Sequence, residues 1–542
     1  MQPTPTHWFR NTVLYQIYPR SFFDANGDGI GDLRGITQRL RYLNGDDDSL
    51  GMGAIWLSPF YPSPMDDFGY DVMDHCNVDP IFGNLDDFTQ LLEEAHKRSI
   101  KVFIDFIPNH TSYMHTWFQE SKSSLDDPRR DWYVWRDPGP DGGPPNNWLG
   151  VFGGSAWEFD EATRQYYLHS FLTQQPDLNW ENAGVREAIK QIMRFWLDMG
   201  VDGFRVDAVY WISKDTKFRN DPPNKDFEAS SADPYYQLSH INSKQGPKLY
   251  KYMGEMAKVL HSYADRFMIV EAAPDFSDIS KSYLDLYRNV DASVSAPFNF
   301  EGIFTPWKAE AFRAFIDRYQ EGMHPLYVPV YCLGNHDHDR LLTRIGEGPA
   351  RVAAMLQLSL PGMPVVYYGD ELGMASAEIA PEDVRDRFEL QQPGKGLGRD
   401  PGRMPMQWNG SEHAGFSKNK PWLPVNADYT RKNADAQQLD PNSMLNLYKG
   451  LLRLRKSSET LRHGSYESFD AGSNIYCFER RLPDETLFVV LNFSDDDAVA
   501  KNSILSGKVL VSTYLDEEPP VLNNGELKLR PHEGVILRAE HV

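Results

Sequence analysis

Short apolar runs rich in β-branched and aromatic residues alternate along the chain with longer stretches whose apolar positions recur every three or four residues. Seven of the runs read as strands: VLYQIYP (13–19), GAIWLSP (53–59), KVFIDFI (101–107), DGFRVDAV (202–209), FMIVEAA (267–273), VPVYCLG (328–334) and PVVYYGD (364–370). A further strand, sixth in chain order, is predicted near ASVSAPF (292–298). Between them, LDDFTQLLEEAHKRS (85–99) and VREAIKQIMRFWLDMG (185–200) carry the spacing of amphipathic helices. Strands alternating with helices predict an α/β chain with a parallel sheet, closed here as a (β/α)8 TIM barrel.

Two intervals break the alternation. Residues 111–180 are rich in Trp, Gly, Pro and Asn and read as a subdomain B inserted after the third strand. Residues 372–440, with GKGLGRDPGRMPMQW and NKPWLP, read as a long loop insert after the eighth strand. The barrel is thus expected in two parts, 1–110 and 181–462, the second ending in the helix LNLYKGLLRLRKSSE (445–459). From 463 to 542 the runs NIYCFERRL, TLFVVLNF, KVLVSTY and GVILRAE predict a C-terminal antiparallel β domain, a β-sandwich.

Composition narrows the function classes. The 542 residues are 41% hydrophobic and 13% aromatic, ample for one large core and smaller ones. With 55 Lys and Arg against 77 Asp and Glu, the net charge of −22 repels nucleic acid and anionic membranes. Three scattered cysteines, Cys76, Cys332 and Cys477, make neither a disulfide framework nor a metal cluster. The N-terminal stretch MQPTPTHWFRNTVLYQIYP shows no signal-peptide pattern and no run reaches the length of a membrane span, so a cytoplasmic location is expected.

Barrel enzymes draw their catalytic groups from the C-terminal ends of strands. Four strand ends carry chemistry: Asp105, Asn109 and His110 in DFIPNHTS; Arg205 and Asp207 in GFRVDAV; Glu271 in VEAA; His336 and Asp337 in GNHD. Glycoside hydrolysis needs one carboxylic acid to protonate the leaving oxygen and one carboxylate to attack the sugar or activate water. Asp207 and Glu271 supply that pair. Arg205, two residues before Asp207, faces the same side and is expected to keep Asp207 ionised. Glu271, after the apolar FMIV, is expected in a poorly solvated place where it stays protonated.

These motifs resemble glycoside hydrolase family 13, the α-amylase family, and within it the oligo-1,6-glucosidase and α-glucosidase group. The resemblance covers nearly the whole chain: DFIPNHTS, GFRVDAV, the Glu271 segment, GNHD and QPDLNW (175–180) stand in the family's order. It implies that Asp207 is the nucleophile of a retaining mechanism with a covalent glucosyl-enzyme, Glu271 the acid/base, and Asp337 a third carboxylate that binds sugar hydroxyls. It also implies that His110, His336, Arg205, Asp67 and Tyr70 hold the non-reducing glucose, giving exo-action on a small α-glucoside. Arg399 and Arg403 both fit the family's further arginine, and Phe152 and Phe171 stand where relatives place aromatic walls.

A separate motif, DANGDGIGD (24–32), offers oxygen donors at alternating positions around a glycine turn. Its candidate ligands are Asp24, Asn26, Asp28, Ile30 and Asp32. It is no EF-hand, because the twelfth position is Gly35 and the loop follows a strand; one structural Ca2+ or Mg2+ is expected.

Two rivals share the barrel. A glucosyltransferase or isomerase would use the same intermediate with a sugar as acceptor, and Ala208, His338 and Asp339 depart from the residues relatives carry at those places. A non-catalytic binding module should have lost its carboxylates, yet Asp207, Glu271 and Asp337 are all present. The expected partner is a small-molecule α-glucoside, with no nucleic acid or membrane, and the expected assembly a monomer or homodimer.

Overall fold

The computed structural model describes residues 7–228, 233–273, 279–516 and 518–540; the first six residues of the N-terminal stretch lie outside them. Seven parallel strands form one sheet in the order Val365–Tyr367, Leu14–Ile17, Ala54–Leu57, Lys101–Phe106, Gly203–Val206, Phe267–Val270 and Ser295–Pro297. The predicted sixth strand is present. The VPVYCLG run, expected as a full strand, enters only through two parallel bridges, Asn299 to Tyr331 and Cys332 to Val365. Pro329 within it and Pro297 beside it have no N–H to give, so a continuous ladder cannot form there. Those bridges close the ring into a (β/α)8 barrel, with the Cys332 N–H on Asn299 O at 3.2 Å and the Val365 N–H on Tyr331 O at 3.1 Å.

The helices form where periodicity and caps agree. The helix Leu85–Lys97 starts at a capping box of Asn84 and Asp87 and buries Phe88, Leu91, Leu92 and Ala95. The helix Ala183–Asp198 buries Val185, Ile189, Ile192, Met193, Trp196 and Leu197 against the sheet.

The insert after the third strand carries a three-stranded antiparallel sheet, Trp135–Arg136, Gln165–Leu168 and Trp157–Asp160, over a small core of Val134, Trp148, Ala156, Trp157 and Leu168. Bridges from His110 to Asp177 and Tyr133 to Leu178 tie it to the barrel mouth. Between the 3-10 turn Val209–Ile212 and the helix Leu249–His261, the described residues 213–228 and 233–248 carry only the short 3-10 turn Pro234–Gln237 as a regular element, a stretch not marked by the sequence pattern.

At the C-terminal end lie a five-stranded antiparallel sheet, in the order Ser465–Phe469, Ile475–Leu482, Glu485–Asn492, Gly534–Arg538 and Lys508–Ser512, and a three-stranded one. Successive residues point to opposite faces. Cys477, Val490, Val535 and Leu537 pack on Ala500, Leu527 and Leu529 of the smaller sheet. Tyr476, Phe478, Leu487, Val489 and Ile536 join the barrel's core instead. A buried arginine of the β domain, Arg480, crosses this seam, and Arg455 braces the same turn from within the barrel. Arg455 donates to the carbonyls of Leu358, Leu360 and Gly362, and Arg480 to those of Ser359 and Gly464. The Leu358, Ser359 and Leu360 carbonyls end the helix Glu347–Ser359, where a cation suits the exposed oxygens.

Candidate active site

Sheet register places the carboxylates. Val206 pairs with Val270, so Asp207 and Glu271, each one residue further, stand side by side on adjacent strands. Their own N–H groups still bond into the ladder, Asp207 to Phe106 O and Glu271 to Val206 O, both at 2.8 Å. Neighbouring strands lie about 4.8 Å apart, which sets the spacing of the two side chains. After Asp207 the chain turns sharply, with Ala208 in the left-handed region at φ 49°. A β-branched residue there would be strained.

Beneath them sits one guanidinium. Arg205, 1% exposed, is the register partner of Asp105. Its Nη1 reaches Asp105 Oδ1 and Asp207 Oδ1, each at 2.7 Å, and its Nη2 contacts Glu271 Oε2. This corrects the expected division of environments. Asp207 is the more buried carboxylate, its side chain 11% exposed against 22% for Glu271, and Arg205 serves both. Burial pushes Asp207 up to about 6, against the pull of Arg205. Asp105 is likewise raised by burial, with Arg205, Trp56 and Tyr70 opposing.

A second network surrounds Asp337. Burial would raise its carboxyl, but the permanent charges of Arg403 and Arg399 outweigh this and hold it well below the usual range. Arg403 Nη2 donates to Asp337 Oδ1 at 3.0 Å while its Nε holds His336 O at 2.7 Å. The His336 ring stacks on Tyr70 at 5.4 Å and hydrogen-bonds its hydroxyl at 2.8 Å. Tyr70 in turn donates to Asp105 Oδ2 at 3.1 Å. Gln16 holds the other nitrogen of His336 at 2.8 Å. Burial lowers the pKa of both His110 and His336 and keeps them neutral.

These groups open into a cavity of about 270 Å³, lined among others by Asp67, Tyr70, His110, Asp207, Glu271, His336 and Asp337. One end is shut by ion pairs: Arg399 Nη2 donates to Asp67 Oδ1 at 2.8 Å and to Asp386 Oδ1 at 2.6 Å. Gln175 closes it further, donating to Asp67 Oδ2 at 3.0 Å and lying 3.2 Å from His110 Nε2. Phe152 and Phe171 stand on the cavity wall, with Arg399 over the Phe152 ring at 4.9 Å. Arg399 lines the cavity; Arg403 and Arg205 do not, and act from beneath its floor. Asn109 also stays out of the cavity, bonding Asp177 Oδ1 at 3.1 Å beside His110.

Several lining residues carry no motif in the sequence, notably Trp211, Asp233, Tyr235, Lys244, Phe304 and Phe388. Most come from the irregular stretch after the fourth strand, the segment after the sixth, and the last insert. The aromatic pair in DPYYQ (233–237) was the available signal.

The DANGDGIGD loop lies elsewhere and is closed on itself. Asp24 accepts the N–H of Gly27 at 2.6 Å and of Gly29 at 2.8 Å, and Ser417 Oγ at 2.6 Å. Gly29 has φ 91°, and a Cβ there would fall 2.3 Å from Lys420 O. Asp32 caps the helix Leu33–Leu43 through the Gly35 N–H, and Asp28 accepts that of Ile30 at 2.8 Å. Among the described residues no group of three or more His, Cys, Asp or Glu stands ready as a metal cluster. The donor set is nonetheless all oxygen, which suits a hard cation, and a carboxylate's several lone pairs leave room beside the amides.

Similarity to known proteins defines the family. Residues 16–464 match the alpha amylase catalytic domain family. A probable alpha-glucosidase of Rhizobium meliloti (strain 1021) is 40% identical, covering 94% of this chain and 95% of its own. An oligo-1,6-glucosidase of Parageobacillus thermoglucosidasius is 37% identical over 98% and 99%. Among solved structures, an alpha-glucosyl transfer enzyme, XgtA, superposes with a TM-score of 0.92 at 37% identity over 99% of this chain and 100% of its own. The trehalulose synthase MutB gives 0.88 at 34% over 99% and 100%. The chain belongs to the α-amylase family, glycoside hydrolase family 13, and is an enzyme of its α-glucosidase group. No helix among the described residues is long and apolar enough to cross a membrane.

Proposed function

We propose that this enzyme is a retaining, exo-acting α-glucosidase that cleaves short α-glucosides through a covalent glucosyl-enzyme. The observation that carries this reading is the register of Asp207 and Glu271. Carboxyl groups on adjacent strands, sharing one guanidinium, match the roughly 5–5.5 Å of retaining enzymes better than the ~6.5–9.5 Å that leaves space for an attacking water. In this reading Asp207 attacks the anomeric carbon while Glu271 gives its proton to the departing oxygen. Glu271 then takes a proton from the incoming water. Asp337, kept ionised by its arginines, binds sugar hydroxyls and favours the flattened ring of the transition state. The closed end formed by Asp67, Arg399 and Asp386 admits one non-reducing glucose and no longer chain. Arg399, not Arg403, is the arginine assigned to that glucose, with Tyr70, His110 and His336 beside it and Arg205 and Arg403 acting as supports.

Proton NMR of the products tests this directly. With maltose, isomaltose, sucrose or a nitrophenyl α-glucoside, α-glucose should form first and mutarotate later. First-formed β-glucose would refute retention, and release of maltose or longer sugars instead of single glucose units from a longer maltooligosaccharide would refute exo-action.

A transfer reading has support of its own. The cavity lining includes the exposed rings Tyr236 and Phe304, faces on which a second sugar can stack in place of water. New disaccharides appearing at high substrate concentration, by chromatography, would establish it.

We also propose that the DANGDGIGD loop takes one structural Ca2+ or Mg2+ through Asp24, Asn26, Asp28, the Ile30 carbonyl and Asp32. The loop anchors the last insert, with Asp24 on Ser417 and the Gly27 carbonyl on Asn419 Nδ2 at 2.5 Å, so metal removal should loosen that insert. Chelation is expected to lower Tm by several degrees, with restoration by added Ca2+ or Mg2+. An identical melting curve before and after chelation would count against the site.

A further inference from the structure

His338 follows Asp337 on the cavity wall away from the closed end. Its ring meets Phe304 edge-on, the centroids 5.1 Å apart at 80°. Phe304 is 50% exposed, so the pair runs from the floor beside Asp337 to the open rim. With the other end shut by Asp67, Arg399 and Asp386, a second sugar has to enter on this side.

Hydrogen bonding settles which nitrogen of His338 carries the proton. The Asp337 N–H points at a terminal side-chain atom of Asn335 at 3.0 Å. A backbone N–H only donates, so that atom is the amide oxygen, which only accepts. The same oxygen lies 2.9 Å from His338 Nδ1, which must therefore be the protonated nitrogen. Burial lowers the pKa of His338 and favours the neutral ring, leaving Nε2 a bare acceptor. Among the described residues Nε2 has no hydrogen-bond partner, yet it is not sealed within the protein, so it opens to the cavity.

We propose that His338 Nε2 accepts a hydrogen bond from a hydroxyl of the sugar on the aglycone side, with Phe304 covering that sugar's apolar face. This is the sugar that leaves in hydrolysis or arrives in transfer. The proposal rests on the glucosidase reading above and adds to it what selects the second sugar. A neutral imidazole fixed in this tautomer accepts without donating, so it favours a hydroxyl at that point over a carbonyl or ether oxygen.

The test compares His338→Gln and His338→Phe with wild type. Substrates are a nitrophenyl α-glucoside, whose aglycone has no hydroxyl, and whichever of maltose, isomaltose and sucrose the wild type cleaves fastest. In His338→Phe the ratio of kcat/KM for the disaccharide to that for the aryl glucoside should fall about tenfold, the worth of one hydrogen bond. In His338→Gln, whose amide oxygen still accepts, most of that ratio should return. Ratios within twofold of wild type in both variants would overturn the proposal, as would a Gln variant no better than Phe. These outcomes leave the glucosidase reading standing. Absence of wild-type turnover on every α-glucoside would instead overturn that reading, and this proposal with it.

Discussion

Replacing Asp207 by Asn should abolish turnover while making the protein more stable. An amide cannot form the glucosyl ester, so kcat is expected to fall by about 10⁴-fold or more, equivalent to roughly 5 kcal/mol of lost transition-state stabilisation. Stability should move the other way because the carboxyl is held in an unfavourable place. Its pKa rises from 3.8 to about 6 on folding, chiefly through burial. A group whose folded pKa is raised favours the fold fully below the unfolded value and loses that contribution as pH climbs through the folded one. Wild type therefore loses stability between about pH 4 and pH 6, on the order of 2–3 kcal/mol. The Asn variant escapes this loss. Its Tm should exceed that of wild type at pH 7.5 and converge with it near pH 4, as read by calorimetry at both pH values. Normal turnover in the variant would remove Asp207 from the reaction, and a lower Tm at pH 7.5 would contradict the burial argument.

Arg205→Leu should be the most damaging single change to the fold near the site. The guanidinium is shared by Asp105, Asp207 and Glu271, and its loss leaves two buried carboxyls without a counter-charge. Removing one partner of a buried ion pair costs about 3–5 kcal/mol. Both aspartates are already raised by burial, with Arg205 opposing, so without it their folded pKa values rise further. By the same sign rule, the deficit should be largest at neutral pH and shrink toward pH 4, where the raised carboxyls are protonated in the folded state of wild type and variant alike. Urea unfolding at pH 4.5 and 7.5 measures it. An equal deficit at both pH values would show that Arg205 matters through packing alone.

The barrel was legible because its strands are buried on both faces and stand out as apolar runs. Even the short Ser295–Pro297 strand could be placed near 292–298. The seventh run was misjudged because composition does not reveal a missing N–H: Pro329 interrupts a stretch whose other residues suit a strand. The site was legible where chemistry sits at strand ends, as with Asp105, Asp207 and Glu271. It was not legible where long-range contact decides a role. Arg399 and Arg403 belong to one motif, and only their partners, Asp67 and Asp386 for one and the His336 carbonyl for the other, set them on different sides of the cavity floor. Likewise the order of burial between Asp207 and Glu271 depends on how each strand end meets the insert and the loops above it. Local apolar neighbours such as FMIV do not encode that.

The seam between the barrel and the C-terminal sheet bears on how such enzymes can be recombined. A graft that exchanged everything after 463 for another β domain would have to reproduce the ring positions of Tyr476 and Phe478 as well as the Arg480 guanidinium that holds the Ser359 carbonyl. The two parts share one oil phase and one set of hydrogen bonds. For chimera design the transferable cassette is therefore the loop set at the barrel mouth, including the stretch bearing Tyr235 and the turn bearing His338, and not the rear domain.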